Sequence, residues 1–293
     1  MSDAVYMERP AFPEAARKPP AHSLLPSKNM HPFDQAIALE PIGDGVWRGH
    51  TSELYWNFVS PYGGVTAAAL LNAMLQSPER IGDPLTLTVN YAAAIRPGPF
   101  TVAARPLRST RTTQHWAVQL TQGDDPRPLT TAVSVFAERR PTWNLAEAAP
   151  PEVEHLQASE QYLPFPNLRW PAMYDMRYVR GHLMAENESS LTYSWIRDAQ
   201  PRALDYASLT SICDAFFPRI FLRRTQMIPI GTVSLNMYFH VDQTALAQQG
   251  TNAVLAVARA NVFSQGYFDQ EGQIWGQDKR LLATTQQIVW YKE

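Results

Sequence analysis

Thr86-Leu87-Thr88-Val89-Asn90 and Thr232-Val233-Ser234-Leu235-Asn236 are one five-residue pattern written twice at a constant offset (232 − 86 = 146; 236 − 90 = 146). In both copies polar residues hold the even places and apolar residues the odd ones, continuing to Leu85 on one side and to Met237 and Phe239 on the other. Period 2 is the side-chain period of a β-strand, so each copy predicts a strand with one face on the core and a polar face available for chemistry. A long-range repeat in a chain of 293 residues predicts two related domains of ordinary size.

Working outward from each copy gives the same order of elements twice. Before the first, residues 36–48 read as two short strands around Gly43-Asp44-Gly45, where glycine supplies the positive φ of a hairpin turn. Gly63-Gly64 then opens an alanine- and leucine-rich helix over 65–75, apolar nearly all round and stopped by Ser77-Pro78. Strands follow over 85–94, 100–109, 114–121 and 130–138, the last two around Gly123-Asp124-Asp125-Pro126. Residues 139–167 carry Pro141, Pro150, Pro151, Pro164 and Pro166, a linker composition. In the second half, strands over 177–183 and 190–195 precede a helix over 204–222, with Leu209, Ile212, Cys213, Phe216, Phe217 and Ile220 on one stripe. Strands over 231–241, 253–262, 267–275 and 281–291 complete it. The chain thus divides into a proline- and alanine-rich segment 1–30, expected to be extended or mobile, a first domain 31–140, a linker 141–167 and a second domain 168–293.

Composition excludes several classes. With 25 Lys+Arg against 27 Asp+Glu there is no basic excess to neutralise a nucleic-acid backbone or an anionic membrane. The longest apolar stretch, 65–75, is broken by Thr66 and Asn72 and is too short to span a bilayer. Cys213 is the single cysteine, so no intrachain disulfide and no thiolate zinc site can form, and the expectation is a cytoplasmic protein. No HExxH, GxSxG or GxxxxGK[ST] motif occurs, and the seven histidines show no i, i+4 pair, so neither a metal nor a cofactor is indicated. Gly43, Gly45 and Gly49 only approximate a dinucleotide fingerprint and lack its strand-to-helix context.

The informative polar groups lie in the second half. Asp214 interrupts an apolar stripe, where a carboxylate must be hydrogen-bonded or rise in pKa. A core aspartate satisfied by Thr210 and a catalytic one both remain open on the residues. Thr232 alone reads as a strand former, Gln287 alone as an edge or surface residue, Cys213 as a buried inert thiol and His240 as a half-exposed strand end. Acceptor, hydroxyl and amide together could hold and deprotonate one water. The first half has Ala68 and Ser134 at the offsets of Asp214 and Gln287, so such a set is expected in the second half only.

Tyr62-Gly63-Gly64 opening the first helix, Ile95-Arg96-Pro97-Gly98 followed by Arg108, Arg111 and Gln119, Cys213-Asp214-Ala215-Phe216-Phe217-Pro218, the strand from Thr232 to His240, and Leu282 to Gln287 resemble, in order and spacing, the acyl-CoA thioesterase family of double hotdog proteins, the thioesterase II type. The resemblance covers residues 31–293. It implies an α+β double hotdog, two antiparallel sheets each wrapped around a central helix, the second domain carrying the catalytic set. It implies hydrolysis of an acyl-CoA thioester to acid and CoA, in fatty acid metabolism, with Asp214, Thr232 and Gln287 positioning the water. Asp214 would be the base, and the N–H groups near Gly63 and Gly64 at a helix start would bind substrate or the oxyanion. It implies no cofactor, no metal, acyl-CoA as the partner, and a homodimer or larger assembly that covers sheet edges. Tyr62 departs from the His or Phe of many relatives and the 218–231 loop is shorter than in some, which bears on acyl specificity. A non-catalytic acyl-CoA-binding or scaffold protein and an enoyl-thioester hydratase are the alternatives, the latter without the D-x-N-P-x-H pattern.

Overall fold

Each half of the chain contributes a set of antiparallel strands and a principal helix, in the order the sequence predicts. The computed structural model describes residues 30–154 and 168–293; the segment before residue 30 and the linker from 155 to 167 lie outside the described residues. The first half runs α1 (Pro32–Ala36), β1 (Glu40–Gly43), β2 (Val46–His50), α2 (Gly63–Leu75), β3 (Asp83–Tyr91), β4 (Pro99–Ser109), β5 (Thr113–Gln122) and β6 (Asp125–Ala137). The second runs β7 (Tyr174–Arg180), β8 (Thr192–Asp198), α3 (Tyr206–Ile212), β9 (Ile230–Phe239), α4 (Gln243–Gln249), β10 (Val254–Arg259), β11 (Phe263–Ser264), β12 (Tyr267–Trp275) and β13 (Leu281–Tyr291). The hairpin between β1 and β2 turns on Gly45 at φ +64°, where an added Cβ would stand 2.7 Å from the Ala104 carbonyl oxygen. Helix α4 is absent from the sequence reading; Asp242 caps it, accepting from the Ala245 N–H at 2.8 Å.

The expectation of two antiparallel sheets is corrected: the strands form one 13-stranded sheet, in the order β1-β2-β4-β5-β6-β3-β9-β13-β12-β10-β8-β7, with β11 beside β12. The two copies of the repeat make the join. Val89 of β3 stands opposite Leu235 of β9, its own counterpart at the repeat offset (235 − 89 = 146), so the seam is a local two-fold axis between related half-sheets. Each half-sheet would otherwise end there in a row of unpaired N–H and C=O groups, and pairing satisfies both rows at once. Leu87, Val89, Leu235 and Met237 are fully buried on one face of the seam, which carries the apolar side of the alternation straight across. Arg139 reinforces the crossing by donating to the Phe239 carbonyl at 2.6 Å.

Helix α2 packs against β4, β5 and α3. Its Ala67, Ala68, Ala69 and Ala73 are buried, and small side chains let it lie close to its surroundings. The second helix is shorter than the 204–222 span predicted. Asp205 caps its start, accepting from the Ser208 N–H at 2.8 Å, and it closes at Ile212 with Asp214 N–H to Ser211 O and Ala215 N–H to Ile212 O bonds of the tighter i→i−3 kind. Pro218 has no N–H to donate to residue 214 and its ring would collide with that carbonyl, so the helix cannot continue. A separate 3-10 turn, Arg219–Leu222, follows. Residues 139–154, the described part of the linker, hold no helix or strand, and the Trp195 indole donates to the Glu154 carbonyl at 2.9 Å.

If the seam unites the two halves, Leu235→Ala, at a fully buried site opposite Val89, lowers unfolding free energy by about 2–5 kcal/mol. Denaturant melts followed by tryptophan fluorescence measure it, and a loss below about 1 kcal/mol would contradict the structural weight given to the seam.

Candidate active site

The end of α3 and the start of α2 meet over the buried face of β9, β12 and β13, leaving a cavity of about 540 Å³. Asp214, Thr232 and Gln287 all line it, together with Gly63. A larger depression of about 780 Å³ lies against strands of the second half and is lined by Tyr193, Tyr238, Arg259 and Glu271. It contains none of these groups and no buried carboxylate, so chemistry selects the smaller cavity.

Asp214 reaches this place because α3 stops short of it. Asp214 is 7% exposed, and Gln287 Nε2 donates to its Oδ1 at 2.7 Å. The Gly64 backbone N–H supplies a further hydrogen bond. Loss of hydration raises the carboxyl from its ordinary 3.8 to about 7, and the bonds from Gln287 and Gly64 pull the other way without prevailing. The close approach depends on glycine: a Cβ at Gly63 would lie 2.7 Å from Asp214 Oδ2, and one at Gly64 would lie 2.5 Å from the Ser211 carbonyl. Of the two helix-start N–H groups expected to serve an oxyanion, the one on Gly64 is thus directed to Asp214.

Thr232 needs a correction of face. The strict alternation of its strand puts it with Ser234 and Asn236 on the side away from the helices. The register shifts, however: Ser234 pairs with Ile288, and Thr232, not Val233, pairs with Val289. Val233 is a bulge, 40% exposed, and it turns Thr232 to the inner side with Leu235, Gln287 and Val289. Asp214, Thr232 and Gln287 therefore meet between sheet and helices, not on the free polar face. The first-half counterpart of Gln287 also changes. Gln287 stands opposite Leu235, while Ala132, not Ser134, stands opposite Val89, so the first half offers a methyl group there.

Tyr62, which the sequence reading singles out, and Tyr91, Trp170 and Gln270, which it passes over, shape the walls. Tyr62 stacks on Trp170, with centroids 4.2 Å apart and rings 4° from parallel, and donates to the Ser211 carbonyl at 2.6 Å. Tyr91 donates to the Gly63 carbonyl at 2.8 Å. These two phenols fix the helix ends that flank Asp214, and burial raises both hydroxyls well above their usual range. Gln270 lies on β12 directly opposite Gln287. It had a legible signal, because Phe268, Gln270, Gly272 and Ile274 share one face of the strand and a lone amide on an apolar face is an anomaly. Cys213 is wholly buried, with its thiol pushed up by desolvation. His240 is exposed and bonds Thr284 Oγ1 at 3.0 Å, outside the cavity lining.

Comparison with known proteins covers both halves. The family model for the acyl-CoA thioesterase N-terminal domain matches residues 52–137, and that for the acyl-CoA thioesterase C-terminal domain matches residues 145–291. A hot dog fold protein of unknown function from Alicyclobacillus acidocaldarius is 43% identical at a TM-score of 0.87, over 90% of this chain and 99% of that one. An acyl-CoA thioesterase II of Mycobacterium marinum shares the fold at 15% identity and a TM-score of 0.71, over 89% of this chain and 98% of that one. A tesB protein of Mycobacterium avium subs paratuberculosis does so at 14% identity and a TM-score of 0.71, over 89% and 98%. No curated protein matches the chain.

The raised carboxyl has a consequence for stability. A group whose folded pKa exceeds its unfolded one contributes stability that is fully present below about pH 4 and is lost as pH rises through about 7. Asp214→Asn cannot ionise, so its stability relative to the parent, followed by melting temperature, should climb between about pH 4 and about pH 7 and level off above that, at a gain of about 4 kcal/mol. A difference between the two proteins that does not change with pH would show that Asp214 titrates near its ordinary value.

Proposed function

The chain belongs to the acyl-CoA thioesterase family, and from that premise we propose that it is a cytoplasmic hydrolase of acyl-CoA thioesters, using water activated by Asp214. One observation carries the reading: a buried carboxyl, raised to about 7, lines the cavity with a hydroxyl and is held by an amide at 2.7 Å. A general base works best when its pKa lies near the pH of its surroundings, and burial has moved this one there.

In the proposed reaction the acyl chain lies along Phe216, Phe217 and Val289 and the thioester carbon faces Asp214. A water held by the carboxylate, the Thr232 hydroxyl and the Gln287 carbonyl oxygen attacks that carbon and passes one proton to Asp214. The carbonyl oxygen takes up the displaced electron pair, and N–H groups at the start of α2, Gly63 first among them, stabilise it. Collapse of the tetrahedral species breaks the C–S bond. The CoA sulfur leaves with that electron pair and receives the proton from Asp214, restoring the carboxylate. No covalent enzyme intermediate, metal or cofactor enters the scheme.

The same reading takes the protein as a homodimer or larger. Among the described residues β1 and β7 each pair with a strand on one side only, and Val133, Tyr238 and Ile288 stand exposed on the outer face of the sheet. Light scattering is expected to give at least twice 33.0 kDa at micromolar concentration, and a monomer would contradict it.

Assay of thiol release from acyl-CoA tests the mechanism. Asp214→Asn should lower kcat by about two to four orders of magnitude while remaining folded, with smaller losses for Thr232→Val and Gln287→Ala. Because the base acts deprotonated, kcat/KM of the parent should fall about tenfold per pH unit below about 7 and level off above it. An Asn variant that hydrolyses at the parent rate would return Asp214 to a structural role.

A further inference from the structure

Behind the cavity lies a side chain that the proposed mechanism does not use. Arg219 is completely buried, yet no carboxylate lies within ion-pair distance of it among the described residues. Its guanidinium is satisfied by neutral acceptors: Nε bonds the Phe217 carbonyl at 2.9 Å and Gln270 Oε1 at 3.1 Å, Nη2 bonds the Phe217 carbonyl at 2.5 Å, and Nη1 bonds Thr192 Oγ1 at 2.7 Å. A buried cation without a counter-ion is a costly arrangement, and the core around it would be filled as well by an apolar side chain.

What this cation does to Gln270 is definite. A guanidinium only donates, so Gln270 must present its oxygen to Arg219 and its NH₂ group away from it. Gln270 is 2% exposed, lines the cavity, and has no hydrogen bond from Nε2 to any described residue. It stands opposite Gln287 in the register of β12 and β13, where facing side chains lie about 5 Å apart. Gln287 spends its own amide on Asp214. Two glutamines therefore sit side by side, one committed to the carboxylate and the other with its donor open to the cavity.

We infer that Gln270 Nε2 is a donor to the carbonyl oxygen of the bound acyl thioester, and that Arg219 is the positioning residue that orients it. The carbon attacked by a water at Asp214 must lie within reach of both glutamines, and the oxygen it carries is the acceptor that Gln270 lacks. As that oxygen becomes negative, a donor already fixed in a dry cavity stabilises it without reorienting, and the charge of Arg219 behind the amide strengthens its N–H as a donor. Gln270 transfers no proton and forms no bond. The role supplements the helix-start N–H groups, one of which is directed to Asp214.

The inference rests on the hydrolase reading for its rate test but not for its spectroscopic one. The probe for the latter is an acyl-CoA analogue with CH₂ in place of the thioester sulfur, a ketone that cannot be hydrolysed, labelled with carbon-13 at the carbonyl. Its infrared C=O stretch should lie at lower frequency on the parent protein than on Gln270→Met, which keeps the volume and removes the donor. Gln270→Glu separates catalysis from structure, because the carboxylate gives Arg219 a counter-ion while removing the donor. Its melting temperature should rise while kcat falls by about a hundredfold or more, with KM changed by less than about threefold. An unchanged stretch in both variants, together with kcat within threefold of the parent, would overturn the role. If Gln270→Met does not fold, Gln270→Glu decides both readouts. A parent that releases no thiol would sink the hydrolase reading, while the ketone frequencies would still decide Gln270.

Discussion

A carboxylate kept out of water between two helix ends is the constraint on which the rest of this structure depends. Asp214 can occupy its place only because α3 ends at Ile212 and because α2 begins with two glycines that leave room for its oxygens. Tyr62 and Tyr91 then tie those ends together through the Ser211 and Gly63 carbonyls. The hydrogen bonds from Gln287 and Gly64 are too few to restore what hydration would supply, so the carboxyl stays raised. A fold selected for stability alone would put an apolar residue here, such as the Ala68 found at the repeat offset in the first half. The stability lost at this point is the physical cost of holding a carboxyl raised toward neutral pH.

The sheet supplies the rigid frame for that arrangement. The seam at Val89 and Leu235 makes a pseudo-symmetric pair out of one chain, and only one member of the pair carries the polar set. Ala132 occupies the position of Gln287, and no bulge like that at Val233 occurs at the matching place in β3, whose own irregularity lies between Pro84 and Thr86. Duplication thus gives two similar scaffolds, while small local departures in the second give it a site. The amide of Gln270 and the buried guanidinium of Arg219 extend that asymmetry one strand further out.

Much of this was legible in the sequence, and the exceptions have identifiable causes. The repeat at Thr86 and Thr232 revealed the two halves and their strands, and the interruption of an apolar stripe singled out Asp214. The offset could not say whether the two strands pair or merely resemble each other, since pairing depends on edges that meet only in three dimensions. Alternation put Thr232 on the wrong face because a one-residue bulge reverses orientation without altering composition. The apolar stripe through Phe216, Phe217 and Ile220 continues the helical period past Pro218, while the missing N–H of Pro218 ends the helix before it. Gln270 was visible as a polar residue on an apolar face, but its partner Arg219 is remote in sequence and reads alone as a surface cation.

Burial, not a neighbouring charge, raises the Asp214 carboxyl toward neutral pH. Infrared difference titration of the folded protein measures this directly, with the protonated carboxyl band assigned by its absence in Asp214→Asn. Desolvation by burial predicts a midpoint of about 7 for that band. A midpoint near 4 would mean that the carboxylate is fully solvated or fully satisfied by its hydrogen bonds, and that burial does not raise it.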